Sequence, residues 1–202
     1  DAAAFAARDP VVILPLAAIE QHGPHLPLST DLDIGLGLLQ EAFRQLPNDP
    51  PVRVLPPQTI GASREHLRFA GTLSLDPELL GELIHQHGTA LASSGVRRLV
   101  LFNSHGGNLR AMDAAALRLR DECGILVVKA SYFTFSRPGS VTLPEAEWRH
   151  GLHGGAIETA MMLHLCPGLV HTDAIQRFPS LGQDLDGPLR RVGPEGEASF
   201  AW

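Results

Sequence analysis

The chain has 202 residues, a formal net charge of −6, ten histidines and two cysteines. Its 44% of hydrophobic and 19% of charged residues exclude a disordered chain and predict one globular domain over residues 1–202. No basic cluster is present to bind phosphates, so the sequence predicts no nucleic-acid partner. No apolar run reaches about 18 residues, which predicts that the chain has no membrane span. The two cysteines are isolated, which predicts a reducing, cytoplasmic location.

Apolar runs alternate with helical patterns along the chain. Aliphatic and β-branched residues predict strands over residues 11–16, 52–55, 98–102 and 125–131, of which 11–16 and 98–102 are predicted to be buried. Apolar periodicity and capping residues predict helices over residues 30–45, 76–94, 109–122 and 157–165, with a loop and a short helix over 136–152 and a peripheral last 35 residues. This alternation predicts an α/β fold with a parallel sheet, mostly buried strands and helices on both faces. In such folds ligands bind beyond the carboxyl ends of the strands.

Four polar side chains follow the first predicted strand within twelve residues: Glu20, His22, His25 and Asp31. In extended backbone Glu20 and His22 point to the same side, and Asp31 can bridge because a carboxylate has two oxygens. Nitrogen and oxygen ligands without thiolate are typical of zinc, manganese or iron. The alternative is that these side chains cap a loop and a helix, and His25 can equally pack or form a hydrogen bond.

A second candidate group follows the most clearly buried strand, in Asn103-Ser-His-Gly-Gly-Asn108. Its glycines permit close backbone approach, and the start of the next helix offers N–H groups to an anion. A phosphate loop would need a Lys-Ser/Thr pair, which this segment lacks. We therefore predict His105 as a metal ligand and the N–H groups of Gly106, Gly107 and Asn108 as donors to developing negative charge.

A third group lies in Gly151-Leu-His-Gly-Gly-Ala-Ile-Glu158. Glu158 stands among apolar residues, where an unpaired charge is costly, so a metal or a strong donor would account for it; the alternative is a solvated helix face. His153 is a candidate proton donor or a partner of a metal ligand. Glu65 and His66 are candidates for contact with substrate or with a ligand, or are an ordinary polar pair. Trp148 either covers a flat substrate ring or packs.

These motifs resemble the creatininase (creatinine amidohydrolase) family. The resemblance is carried by Glu20-Gln-His-Gly-Pro-His-Leu-Pro-Leu-Ser-Thr-Asp31, by Gly61-x-Ser-x-Glu-His66 with Phe69-x-Gly-Thr72, by Asn103-Ser-His-Gly-Gly-Asn108 and by His153 with Glu158-Thr. It implies a three-layer α/β/α fold, a site for two divalent metal ions (zinc first, manganese or iron as alternatives), hydrolysis of an amide-type C–N bond in a small molecule, and a homo-oligomer, often a hexamer.

The resemblance also implies individual roles. Glu20 and His105 would hold one ion, His22 the other, and Asp31 would bridge both. Creatininase proper has a glutamate two residues after the matching histidine, where this chain has Gly107, so Glu158 is the candidate for that vacancy. The departure argues against creatinine as the substrate; other members deformylate a pyrimidine nucleotide precursor or cleave a modified peptide. Because the chain starts at Asp1 and lacks a recognisable glycine-rich end, we expect a family domain without its terminal residues.

The sequence therefore predicts a metal-dependent hydrolase of a non-peptide C–N bond in a cyclic amide, a formamide or a small amide. Two ions would activate a shared water, His153 would protonate the leaving nitrogen, and Glu158 would serve as a ligand or as the base. Specificity is expected in the loops over residues 61–72 and 132–152. The alternatives are a metal-dependent lactonase or esterase, and a non-catalytic metal- or ligand-binding protein.

Overall fold

The centre of the molecule is one parallel sheet. The computed structural model describes residues 7–47 and 50–178. Four strands lie in the order β2-β1-β3-β4, formed by β1 (Val11–Leu16), β2 (Val52–Val54), β3 (Arg98–Asn103) and β4 (Leu126–Ser131). β1 pairs with β3 over its whole length, from Val11 opposite Arg98 to Leu16 opposite Asn103, so these two strands end at the same level. The predicted α/β fold with a parallel sheet is confirmed.

Helices connect and follow the strands: α1 (Thr30–Gln45), α2 (Pro77–Ser93), α3 (Leu109–Cys123), α4 (Glu145–His150) and α5 (Ala156–Leu165). Asp76 caps α2 as predicted, because its side chain accepts a hydrogen bond from the Glu78 N–H. Gly124 ends α3 with a φ of 62°, a left-handed conformation that favours glycine. The predicted short helix before Gly151 is α4.

The helices cover both faces of the sheet. The chain moves from β1 to β2 in one direction, and from β2 past β1 to β3 and β4 in the other. Because crossovers between parallel strands are right-handed, α1 lies on one face and α2 and α3 lie on the other. The packing agrees, since α2 contacts α3 and α1 contacts α5. The three-layer α/β/α arrangement that the resemblance implied is therefore present.

Two apolar clusters hold the layers together. The larger cluster includes Leu14, Ile84, Leu101 and Leu119, each at most 1% exposed, and joins the sheet to α2 and α3. The smaller cluster consists of Leu26, Ile34 and Met162 and holds α5 against α1. The second cluster matters for function because α5 carries Glu158.

The edge strand β4 is more exposed than predicted. Leu126 is 50% exposed and Val128 is 47% exposed, whereas the strands of the sheet were predicted to be mostly buried. The reason is position in the sheet: α3 packs on one face of β4, whereas α1 covers the opposite face over β1, two strands away.

The described chain ends in two short 3-10 turns, Pro167–Leu169 and Thr172–Ala174. The last 35 residues were predicted to be peripheral. From residue 179 onwards this prediction lies outside the described part of the chain. Within residues 7–47 and 50–178, no helix combines the length and the apolar character needed to cross a membrane.

Candidate metal centre

The polar residues predicted from the sequence meet at the carboxyl edge of the sheet, between β1 and β3. The chain leaves these neighbouring strands towards opposite sides, which opens a crevice at this point. β1 leads to Glu20 and His22, and β3 leads to His105, while α1 and α5 bring Asp31 and Glu158 from their first turns. All five side chains are at most 5% exposed.

One group of candidate ligands consists of Glu20, Asp31 and His105. His105 Nδ1 lies 3.3 Å from Glu20 Oε1 and 3.1 Å from Asp31 Oδ2. The other ring nitrogen of His105, Nε2, donates a hydrogen bond to the Ala62 carbonyl over 2.9 Å. In the neutral ring this bond leaves the Nδ1 lone pair facing the two carboxylates, which is the arrangement of a metal-binding histidine.

A second group consists of His22, Asp31 and Glu158. His22 Nε2 lies 3.4 Å from Asp31 Oδ1 and 3.9 Å from Glu158 Oε2. His22 Nδ1 donates to the Glu20 carbonyl over 3.1 Å, so Nε2 faces the carboxylates. Asp31 belongs to both groups, with Oδ2 towards His105 and Oδ1 towards His22.

The donors fit a divalent cation. Glu20 Oε2, His22 Nε2 and Asp31 Oδ2 are buried, and none of them has a hydrogen-bond partner in the described part of the chain. Buried polar atoms without partners are costly unless another group satisfies them. Carboxylate oxygens and imidazole nitrogens without thiolate suit zinc, manganese or iron.

The carboxylates and imidazoles shift each other's protonation. Burial opposes a charge on His22, but Asp31 and Glu158 raise the pKa of His22 to about 9. Burial also opposes a charge on Asp31, but His22 and His105 hold the pKa of Asp31 below its usual range. Burial raises the pKa of Glu158 to about 7. A divalent cation at this place would therefore replace protons on His22 and Glu158.

His153 and His66 lie beside Glu20. Their rings stack with centroids 4.2 Å apart and planes 16° apart. Glu20 Oε1 is 3.5 Å from His153 Nδ1 and 3.9 Å from His66 Nε2. Glu20 forms further candidate ligand groups with His22 and His153, and with Glu65 and His66. Burial lowers the pKa of both His66 and His153.

Glu158 is held on both of its oxygens. The Gly154 N–H donates to Oε2 over 2.6 Å, and the Tyr132 hydroxyl donates to Oε1 over 3.3 Å. Burial raises the pKa of Tyr132, which keeps this hydroxyl a donor. The alternative of a solvated helix face for Glu158 is wrong, because α5 turns this side chain into the crevice.

The three residues that follow His105 in the loop after β3 differ in their contacts and burial. Asn108 is fully buried; its Nδ2 donates to the Ala17 carbonyl and its Oδ1 accepts from the Ala62 N–H. The Asn108 N–H donates to the His105 carbonyl over 3.3 Å, so the prediction that it stabilises a substrate charge is corrected. Gly107 lies against Ala62, and Gly106 is exposed.

Two other predicted site residues lie outside the ligand groups. His25 Nε2 is 2.9 Å from Thr159 Oγ1, and His25 lines a cavity of about 710 Å³ that also includes His153. Trp148 is not part of the described lining of that cavity. The Arg137 guanidinium lies 4.7 Å from the centre of the Trp148 ring, so this ring packs against Arg137, and its role as a substrate cover stays a prediction.

Three polar groups have contacts in the site that the sequence did not predict. They are the Ala62 carbonyl that orients His105, the Tyr132 hydroxyl on Glu158, and Gln21, which contacts both His66 and His153. For Tyr132 a signal existed, because it directly follows β4 at the carboxyl edge of the sheet. For Gln21 the signal was its position between two candidate ligands, whereas a backbone carbonyl leaves no mark in a sequence.

Comparison with known proteins identifies the family. The model of the creatininase family, described as creatinine amidohydrolase, matches residues 1–201. The chain belongs to the creatininase family. Among its relatives, the mycofactocin precursor peptide peptidase of Mycolicibacterium smegmatis is 37% identical over 168 residues, which are 82% of this chain and 62% of that protein. The creatinine amidohydrolase of Pseudomonas putida is 32% identical over 193 residues, covering 88% of this chain and 72% of that protein.

A solved creatininase-family structure has the same fold. The structure described as creatininase Mn superposes with a TM-score of 0.73 at 30% identity, over 89% of this chain and 74% of that chain. The chain spans about three-fifths of the length of the mycofactocin precursor peptide peptidases that it matches. The predicted membership of this family, in a branch other than creatininase proper, agrees with these relatives.

Proposed function

We propose that this chain is a metal-dependent hydrolase that cleaves an amide C–N bond at a centre for two ions. Glu20 and His105 would hold one ion, His22 and Glu158 the other, and Asp31 would bridge them. The observation that carries this proposal is the sharing of Asp31 between two buried candidate ligand groups, with one carboxylate oxygen towards each group.

For the substrate, we propose an amide bond in a peptide or a peptide-derived molecule, in place of the non-peptide bond predicted from the sequence. Support comes from the relatives at 36–37% identity, which are named peptide peptidases, whereas the creatinine amidohydrolase is 32% identical. This chain has Gly107 at the position where the family resemblance implies a glutamate in creatininase proper, which argues against creatinine as the substrate. The cavity of about 710 Å³ beside His153 is in the size range of small-ligand sites, so it would admit a short peptide segment or a small amide.

Divalent ions held here would supply Lewis acidity to the carbonyl group and make water a stronger acid. The protein's own part is to place donors and acceptors around the reacting bond. His153 Nε2 lies 2.6 Å from the Gln21 carbonyl oxygen, so Nδ1 is the nitrogen that would accept a proton from the attacking water and return it to the leaving nitrogen. Glu158, held by Tyr132 and Gly154 beside His22, would act as a ligand rather than as this base.

The proposal is tested by removing and restoring the metal. The protein is treated with a chelator and then assayed with short peptides, formamides, lactams and lactones, before and after zinc or manganese is added back. We expect amide hydrolysis to disappear with the metal and to return with it. Glu20→Gln and His105→Ala should lose both metal and turnover, whereas His87→Ala, on the exposed face of α2, should keep both.

Three results would contradict the proposal. They are turnover that survives complete metal removal, hydrolysis confined to lactones, and unchanged metal content and turnover in both site variants. A protein that binds metal in a closed four-coordinate site and hydrolyses none of these compounds would have a structural metal instead. The cytoplasmic location and the hexamer remain predictions.

A further inference from the structure

Gln21 contacts both of the stacked histidines of the site. It is 7% exposed, and its Nε2 is 3.1 Å from His66 Nδ1. Its backbone oxygen is 2.6 Å from His153 Nε2. One residue thus contacts His66 through its side chain and His153 through its backbone.

The orientation of the Gln21 amide follows from its other contact. Gln21 Oε1 accepts a hydrogen bond from the Gly23 N–H over 3.1 Å. The reversed amide would place its NH₂ group against that N–H, which is a contact between two donors. The orientation with the NH₂ group towards the histidines is the one that keeps the Gly23 hydrogen bond.

The tautomers of the two histidines follow from these contacts. A neutral imidazole has one nitrogen that donates and one that accepts. His153 Nε2 must donate, because a lone pair 2.6 Å from the Gln21 carbonyl oxygen would be repelled. Gln21 Nε2 is also 3.1 Å from His153 Nε2, but that nitrogen already carries a hydrogen, so the amide hydrogen goes to His66 Nδ1.

We propose that Gln21 is a positioning residue that holds both His66 and His153 in the Nε2–H tautomer, with a different ring nitrogen of each turned towards Glu20. His66 then presents an N–H from Nε2, 3.9 Å from Glu20 Oε1, and His153 presents an acceptor at Nδ1, 3.5 Å from the same oxygen. The site thereby gains one proton donor and one proton acceptor on adjacent stacked rings. The consequence for catalysis rests on the proposed hydrolase function, whereas the tautomers do not.

NMR can determine the tautomers of His66 and His153 directly. Zinc-loaded protein with ¹⁵N-labelled histidine is studied by long-range ¹H–¹⁵N NMR at about pH 8, above the ordinary histidine pKa. Wild type should show a protonated Nε2 on both His66 and His153. In Gln21→Glu the carboxylate can only accept, so His66 should switch to a protonated Nδ1. His153 should not change, because its partner is a backbone carbonyl.

Two further variants complete the test. Gln21→Met keeps the length of the side chain without a donor, so His66 should populate both tautomers; it also serves if Gln21→Glu fails to fold. Gln58→Glu changes a glutamine whose Nε2 donates to the Ile60 carbonyl, away from both histidines, and should leave both tautomers as in wild type. A protonated Nδ1 on wild-type His66, or a His66 tautomer that is the same in every variant, would overturn the proposal.

Kinetics then link the tautomers to the reaction. On an amide that the protein hydrolyses, kcat of Gln21→Glu should fall roughly 10²-fold, the scale of lost proton transfer, with zinc content unchanged. An unchanged kcat together with a switched His66 tautomer would contradict the catalytic consequence. If no amide is hydrolysed, the proposed function fails, while the NMR result still decides the role of Gln21.

Discussion

At Gly107 the backbone lies against the segment that orients His105. A Cβ at this position would lie 2.0 Å from the Ala62 carbonyl oxygen and 2.6 Å from His105 Nε2. That oxygen is the one that accepts the hydrogen bond from His105, so any side chain would push it away from the ring. The glutamate that the family resemblance implies at this position in creatininase proper therefore has no room here unless the segment around Ala62 moves.

Gly107→Ala should consequently weaken both stability and metal binding. We expect a loss of about 1–3 kcal/mol in the free energy of unfolding, the usual cost of an overpacked site, and a lower metal content after dialysis. Gly106→Ala is the matched control, because a Cβ there has no heavy atom within 4 Å. Thermal unfolding and metal analysis of both variants measure the effects; equal behaviour of the two would contradict this assignment.

The sequence predicted the candidate ligands better than it predicted what orients them. Glu20, His22 and Asp31 were recognisable because chemically reactive residues stood close together after a strand. Tyr132 and Glu158 are 26 residues apart, and Gln21 and His153 are 132 apart, so their contacts exist only once the sheet and α5 are assembled. No local pattern in a sequence records such pairs.

Element types followed from local patterns, whereas burial did not. Apolar periodicity and caps such as Asp76 placed the helices and strands within one or two residues of their observed ends. The exposure of Leu126 and Val128 on β4 was not predicted, because a run of apolar and β-branched residues has the same sequence pattern in a central strand and in an edge strand. Which helix covers a strand depends on strand order, and strand order is a long-range property.

Helix α5 is held against α1 by a small apolar cluster that includes Met162. Met162 is fully buried with Leu26 and Ile34, and it lies one turn after Glu158 on the same helix. The small cluster therefore determines where Glu158 meets His22. Because its centre consists of three buried residues within the described part of the chain, removal of one of them should disturb the site.

Met162→Ala should cost about 2–5 kcal/mol in the free energy of unfolding, as for other large-to-small changes in a core. Leu163→Ala, on the same helix at 41% exposure, should cost about 1 kcal/mol or less. Urea unfolding of both variants, with metal analysis of the folded protein, checks this prediction. A cost for Met162→Ala no larger than that for Leu163→Ala would show that the cluster does not anchor α5.

At the scale of the whole molecule, the sheet order explains why the site lies where it does. β1 and β3 are neighbours in space but separated by 81 residues between Leu16 and Arg98, and their carboxyl ends deliver Glu20, His22 and His105 to one crevice. Four separate segments of the chain supply the five candidate ligands. Assembly of the sheet and formation of the centre are therefore one event, and bound cations should stabilise the fold as a whole.

The most direct measurement of the central claim is the number and position of metal ions per chain. Anomalous diffraction from crystals grown with zinc or manganese should show two ions in wild type, both in contact with Asp31. Asp31→Asn should lose the pair, whereas Asp33→Asn, two residues along α1 where Ser29 Oγ donates to the carboxylate, should retain both ions. A single ion enclosed by four protein ligands in wild type, or two ions still bound in Asp31→Asn, would contradict a shared two-ion centre.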